Sequence, residues 1–302
     1  MTNLVYNEVL STMLFLAGVY LCVKFINQKK MRLLIGIAFF FSLGNFIRSL
    51  GFLFAAASVL YFLLMKVNLR TITLFVVAIV IGFVTPLWFI NWQLYSRGKI
   101  KEPLGKNAVP ILKWIHMGLT KTYFGYWDQG ESYYMYARDA SWSKKEANKI
   151  YCEGIKHKIK EYGGPEIVNI YFKKLVWLWT EGTYQSVYLG MSHSNPDGYI
   201  EETTVSRFFE QKIENRDPIK IMMYFENLIL LLTIFIFIGF IILSRRWELI
   251  NTEMILILIL LFFIFFYLLW EVKPRYVYPV YPYILLLSCI SVIKLFNYKK
   301  QN

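Results

Sequence analysis

Apolar runs of near-bilayer length recur along this chain, and short loops carrying lysine and arginine divide most of them. A hydrocarbon core of about 30 Å takes about 20 apolar residues to cross as a helix, and only helices or closed barrels satisfy their backbone polar groups there. Runs this long and this apolar predict helices, so the fold class expected is an all-α integral membrane protein. The runs are Val9–Ile26, Leu33–Met65, Thr71–Asn91, Ile221–Leu243, Met254–Leu269 and Val277–Leu295. The second is interrupted at Gly44-Asn45-Phe46-Ile47-Arg48-Ser49-Leu50-Gly51. As one helix it would be about 50 Å long at 1.5 Å per residue, too long for the core. Two helices turning near Arg48 give seven membrane segments in all.

Charge orients them. Cytoplasmic loops collect lysine and arginine, and of the 14 basic residues outside the region 95–220, 11 fall at one face if the Arg48 turn is real: Lys24, Lys29, Lys30, Arg32, Lys66, Arg70, Arg245, Arg246, Lys294, Lys299 and Lys300. Without that turn, Lys66, Arg70 and the later basic loops would face the wrong way. The expected topology is a multi-pass cell-membrane protein with the N-terminus and the long region outside and the C-terminus in the cytoplasm. Three parts follow: membrane helices 1–4 over 1–94, an extracytoplasmic loop domain over 95–220, and membrane helices 5–7 over 221–302. The net charge of +13 thus belongs to membrane orientation, and a nucleic-acid partner is not expected. The lipid bilayer is. The first residues, Met1-Thr2-Asn3-Leu4, lack a basic stretch before the apolar run, so no cleaved signal peptide is expected.

The region 95–220 holds 19 Lys+Arg and 15 Asp+Glu, a soluble-looking balance. Ser143 with Glu146 has the form of a capping box, predicting a helix from Lys144 to about Tyr162 that stops at Gly163-Gly164. Pro165 then suits the first position of a second helix, Glu166–Thr180. Its Ile167, Ile170, Tyr171, Leu175 and Trp179 recur at helical spacing with Lys173 and Lys174 between them. That pattern fits a helix lying among headgroups and equally one packed within a small domain. Three scattered cysteines and three scattered histidines indicate neither a disulfide framework nor a metal site, and no cofactor is evident.

Arg48, Lys273 and Arg275 are the three cations left at the outer face, on two different hairpins but at one expected depth, that of a lipid phosphate. A guanidinium grips phosphate oxygens as a fork and an ammonium adds a compact charge, so the three are candidates to hold a carrier phosphate. The competing reading is snorkelling to ordinary headgroups, or pairing with Glu271. Transfer of a sugar to a hydroxyl needs a carboxylate as general base. Asp128, Glu181 and Glu8 are the candidates, with Asp139 also in the loop; Glu8, at a helix end, is expected to be solvated. Tyr126 and Trp127 flank Asp128, Trp179 lies near Glu181, and Tyr276 follows Arg275. Their ring faces suit sugar C–H groups, although any interfacial turn is rich in such rings.

These features together resemble the bacterial GT-C membrane glycosyltransferases, the group related to protein mannosyltransferases and aminoarabinose transferases. The resemblance rests on Asn7-Glu8 before an apolar run, Gly36 to Gly44 leading into Asn45-Phe46-Ile47-Arg48, a Trp-rich outer loop, and Lys273-Pro274-Arg275-Tyr276 with Pro279 and Pro282 opening the last helix. Trp114-Ile115-His116-Met117-Gly118-Leu119 and Gly125-Tyr126-Trp127-Asp128 are similar to variants in Gram-positive bacteria. The resemblance implies an enzyme that takes a sugar from a polyprenyl-phosphate carrier and transfers it outside the membrane to an envelope glycan, lipid or protein, with Arg48 and Arg275 near the carrier phosphate. Such enzymes begin with further helices and a catalytic aspartate in their first outer loop. The resemblance therefore implies either the C-terminal portion of a longer or split enzyme, with another chain supplying those helices as a partner, or a degenerate member without activity. The alternative is a non-catalytic membrane protein that binds a lipid-linked sugar or serves as an assembly subunit.

Overall fold

The computed structural model describes residues 7–106, 108–126, 143–182, 217–247 and 250–301, the ends 217–220 and 299–301 as backbone only. Ten elements follow one another: α1 (Asn7–Gln28), α2 (Met31–Ile47), α3 (Gly51–Leu64), α4 (Leu69–Ser96), α5 (Ile111–Gly118), α6 (Lys144–Thr180), α7 (Asp217–Ser244), α8 (Met254–Leu269), a 3-10 helix (Pro274–Val280) and α9 (Tyr281–Gln301). The described residues are 81% helical and contain no strand, so nearly all backbone polar groups are bonded within their own segment, as a bilayer demands. Four helices are long and apolar enough to cross a membrane, Asn7–Gln28, Leu69–Ser96, Ile221–Ser244 and Pro274–Tyr298, and three shorter apolar helices cover Arg32–Ile47, Gly51–Leu64 and Met254–Leu269. The chain is an all-α membrane protein.

α1 and α2 form a tight antiparallel hairpin. A β-carbon on Gly18 would lie 2.5 Å from Phe41 Cδ1, and one on Gly44 would lie 2.6 Å from Phe15 Cε1, so each glycine receives the other helix's ring. Phe15 carries the packing onward, stacking on Phe54 of α3 at 4.3 Å, and Phe54 meets Phe263 of α8 at 5.4 Å and Tyr283 of α9 at 5.7 Å. These rings are buried, and each such pair adds about 0.5–1.5 kcal/mol to its area burial. The break expected near Arg48 is present: Asn45 Oδ1 accepts from the Gly51 amide at 3.0 Å, capping α3 across the turn. α4 lies outermost, burying Ile72, Phe75 and Ile79. At its far end Trp88 and Trp92 are exposed and stacked, 6.5 Å apart, the placement of an aromatic belt.

In the region between α4 and α7 the Ser143 cap forms, its Oγ accepting from the Glu146 amide at 3.3 Å. α6 bends where expected, at Gly163, whose φ of 67° an L side chain rarely adopts. The second half of α6 buries Ile170, Lys174, Leu178 and Trp179 and exposes Val168, Phe172 and Val176. One end of the bundle collects the first turn of α1, the last turn of α2, the end of α8, the 3-10 helix and this half of α6.

Candidate functional site

Glu8 of α1 sits at that end, with Arg48 just past α2 and the 270–276 turn around it. Arg48 Nη1 is 3.4 Å from Glu8 Oε1, and Arg275 Nε is 4.0 Å from the same oxygen. Both guanidiniums lie over Tyr276, 5.0 and 5.8 Å from the ring centroid, and Tyr276 stacks on Tyr267 of α8 at 5.6 Å. Beside them Lys273 Nζ is 3.4 Å from Glu271 Oε1. The acids are deep and the bases are not: Glu8 and Glu271 side chains are 5% and 2% exposed, those of Arg48 and Arg275 23%, that of Lys273 19%. An anion arriving from outside the bundle therefore meets cations first. Burial pushes the Glu271 carboxyl above its usual range, with Lys273 opposing, and pulls the Lys273 amine down, with Glu271 opposing.

The 270–273 segment is held by its backbone as well as by its side chains. The Glu271 amide donates to Trp114 O at 3.0 Å and the Val272 amide to Gly125 O at 2.9 Å, and Tyr126 pairs with Val272 in a parallel bridge. Lys174 of α6, 0% exposed, closes this crossing by donating to Gly118 O at 3.0 Å and Leu268 O at 2.8 Å. These carbonyls end α5 and α8, where a helix favours a cation. Burial nevertheless lowers the Lys174 amine to about 7, against the pull of Glu271. A β-carbon on Gly125 would lie 2.9 Å from Lys174 Cε, and Gly125 has a φ of 75°, so glycine fits there on both counts.

The structure brings together Glu8, Arg48, Lys273, Arg275 and Tyr276, with Tyr126 one bridge away. Glu8 departs from the solvated helix-end acid expected of it: it is 4% exposed, because α1 starts inside the cluster and not above it. The pairing of Lys273 with Glu271, one of the two bland readings, is present. Tyr126 is half-buried and meets Trp177 edge-on at 5.0 Å. Trp179 is buried against α7, its carbonyl accepting from Asn227 Nδ2. Glu181 lies beside Gly182, which packs on the Met223 backbone of α7. Asp128, Trp127 and Asp139 lie outside the described residues. Sequence reasoning missed Lys174 and Tyr267; the signal for Lys174 was its i±4 register with Ile170 and Leu178, which puts it on the buried face. Among the described residues no group of three metal-ligating side chains occurs and all cysteines are free.

No family model matches this chain, and neither a curated protein nor a solved structure does.

Proposed function

We propose that the Glu8 end of the bundle is an outer-face site for the phosphate of a lipid-linked sugar, and that the chain acts as a GT-C type glycosyltransferase or as part of one. In this reading seven segments cross the membrane, the four long helices and the three shorter ones, with the Arg48 end outside and the basic end, bearing Lys29, Lys30, Lys66 and Arg70, in the cytoplasm. The observation that carries it is the convergence of Arg48, Arg275 and Lys273, partly open, on one end of an apolar bundle. Cations at that depth meet phosphates in any bilayer, but two guanidiniums held by a buried acid and one tyrosine ring are pre-organised for a single anion.

In the reaction, the bond from the sugar's anomeric carbon to the phosphate oxygen breaks and a bond from that carbon to an acceptor oxygen forms. The acceptor's proton passes to a carboxylate, and the carrier leaves as a phosphomonoester. Asp128, two residues along the chain from Tyr126, and Glu8 are the candidate bases; Glu181 is a third. Tyr126 and Tyr276 supply ring faces near the cations for a sugar or acceptor.

The test is binding of a polyprenyl phosphate to the purified chain, beside a transfer assay with lipid-linked sugars and envelope acceptors. Arg275→Ala should weaken binding at least tenfold, and Lys299→Ala should leave it unchanged. Equal effects would remove the phosphate site. Binding without turnover would favour the second reading, a carrier-binding subunit, which the burial of Glu8 beside two arginines supports by engaging that candidate base in ion pairs.

A further inference from the structure

Glu8 is a costly residue where it stands. The residue is 4% exposed with both carboxylate oxygens buried, and neither oxygen accepts a hydrogen bond from a described residue, although a buried charge is ordinarily both paired and hydrogen-bonded. Its position relative to Arg48 and Arg275 is the one that an anionic ligand of those guanidiniums would share. Whatever anion enters the site therefore feels a fixed negative charge a few ångströms away, in surroundings where such repulsion is poorly screened. A carboxylate there weakens the binding of every anion, but it weakens a doubly charged one more than a singly charged one.

We infer that Glu8 is a specificity-determining residue that makes the site select a singly charged phosphodiester over a doubly charged phosphomonoester. This rests on the reading of the Arg48–Arg275 end as a phosphate site. Its chemical sense follows from the reaction above: the sugar-bearing carrier is a phosphodiester with one negative charge, and the carrier left behind gains a second, since a phosphomonoester loses its second proton near pH 6. Glu8 then favours donor entry and spent-carrier exit without touching the sugar. Tyr276 and Tyr267, stacked beneath the guanidiniums, hold both arginines in place whether or not a ligand is present.

The experiment measures affinities of the purified full chain, in lipid nanodiscs at pH 7.5, for farnesyl phosphate and for its methyl diester. Glu8→Gln should tighten farnesyl phosphate about tenfold and the diester only about threefold, because the repulsion scales with ligand charge. Equal tightening of both, no change in either, or loss of both would overturn the assignment. Should Glu8→Gln fail to fold, the wild-type protein decides. At pH 7.5 it should bind the diester more tightly than farnesyl phosphate, and at pH 5.2, where most of the second charge is gone, farnesyl phosphate should tighten toward the diester; farnesyl phosphate bound the more tightly at pH 7.5 would overturn the inference. Failure of the underlying site looks different: Arg48→Ala and Arg275→Ala would then leave both affinities where they were.

Discussion

Lys174→Met removes a titrating amine from the place where α5, α6 and α8 meet, and its effect should depend on pH in a defined direction. The native amine titrates at about 7 and the unfolded one at 10.5. Between those values the unfolded chain binds more protons, so native stability rises with pH, by about 1.4 kcal/mol per pH unit from this group alone. The contribution is complete above 10.5 and is lost as pH falls through about 7. From pH 7.5 to 9 the wild-type protein should gain about 2 kcal/mol, several degrees in Tm for a chain of this size. Lys273, also lowered by burial, adds in the same direction, so the variant should keep a smaller slope rather than none. The nine tryptophans provide a fluorescence signal for thermal unfolding in detergent. At pH 7.5 the variant gives up two hydrogen bonds, to Gly118 O and Leu268 O, but also the cost of holding a buried lysine largely deprotonated. The diagnostic is therefore the slope and not the absolute Tm. An undiminished slope in Lys174→Met, or a wild-type Tm that falls between pH 7.5 and 9, would refute the reasoning.

Two further expectations follow from packing. Gly18→Val puts branched carbons into the Phe41 ring and should cost about 1–3 kcal/mol by overpacking, seen as a lower Tm and faster proteolysis between α1 and α2; an unchanged Tm would mean that the hairpin is not interlocked. At the opposite end, Lys294 Nζ lies 2.9 Å from Glu253, whose side chain is 7% exposed. Lys294→Met leaves that acid with the Asn251 amide but without its cation and should cost about 1–3 kcal/mol, whereas the double variant with Glu253→Gln should recover most of the loss.

The bundle was readable in the sequence wherever a single physical rule acts along the chain. Length and hydropathy mark the helices, and the count of basic loops forces the Arg48 turn before any contact is known. Ser143 and the Gly163–Pro165 bend are local signals, and the helix obeys them. The site was readable only as a list of charges at one depth. Glu8, Arg48 and Arg275 are brought together by tertiary packing from positions far apart in the chain, so neither the burial of Glu8 nor its sharing between two guanidiniums has a signature in sequence spacing. Lys174 is a different case. Its helix could lie among headgroups or pack within a small domain, and the carbonyls ending α5 and α8 offer it partners that only the fold creates.

The interlocking of Gly18 with Phe41 and Gly44 with Phe15 sets the relative height of α1 and α2, and hence of Glu8 and Arg48, which stand side by side at the open end of that hairpin. Membranes differ in thickness by a few ångströms, and a helical protein answers by tilting or sliding whichever elements move most easily. A hairpin keyed by rings in glycine notches rides up or down as one piece, so a thicker or thinner bilayer shifts the acid and its arginine together. α4 is joined to α2 more lightly, burying Ile72, Phe75 and Ile79 and meeting Ser42 at Gly82. The spacing of Glu8 and Arg48 should therefore change little between lipids of different chain length.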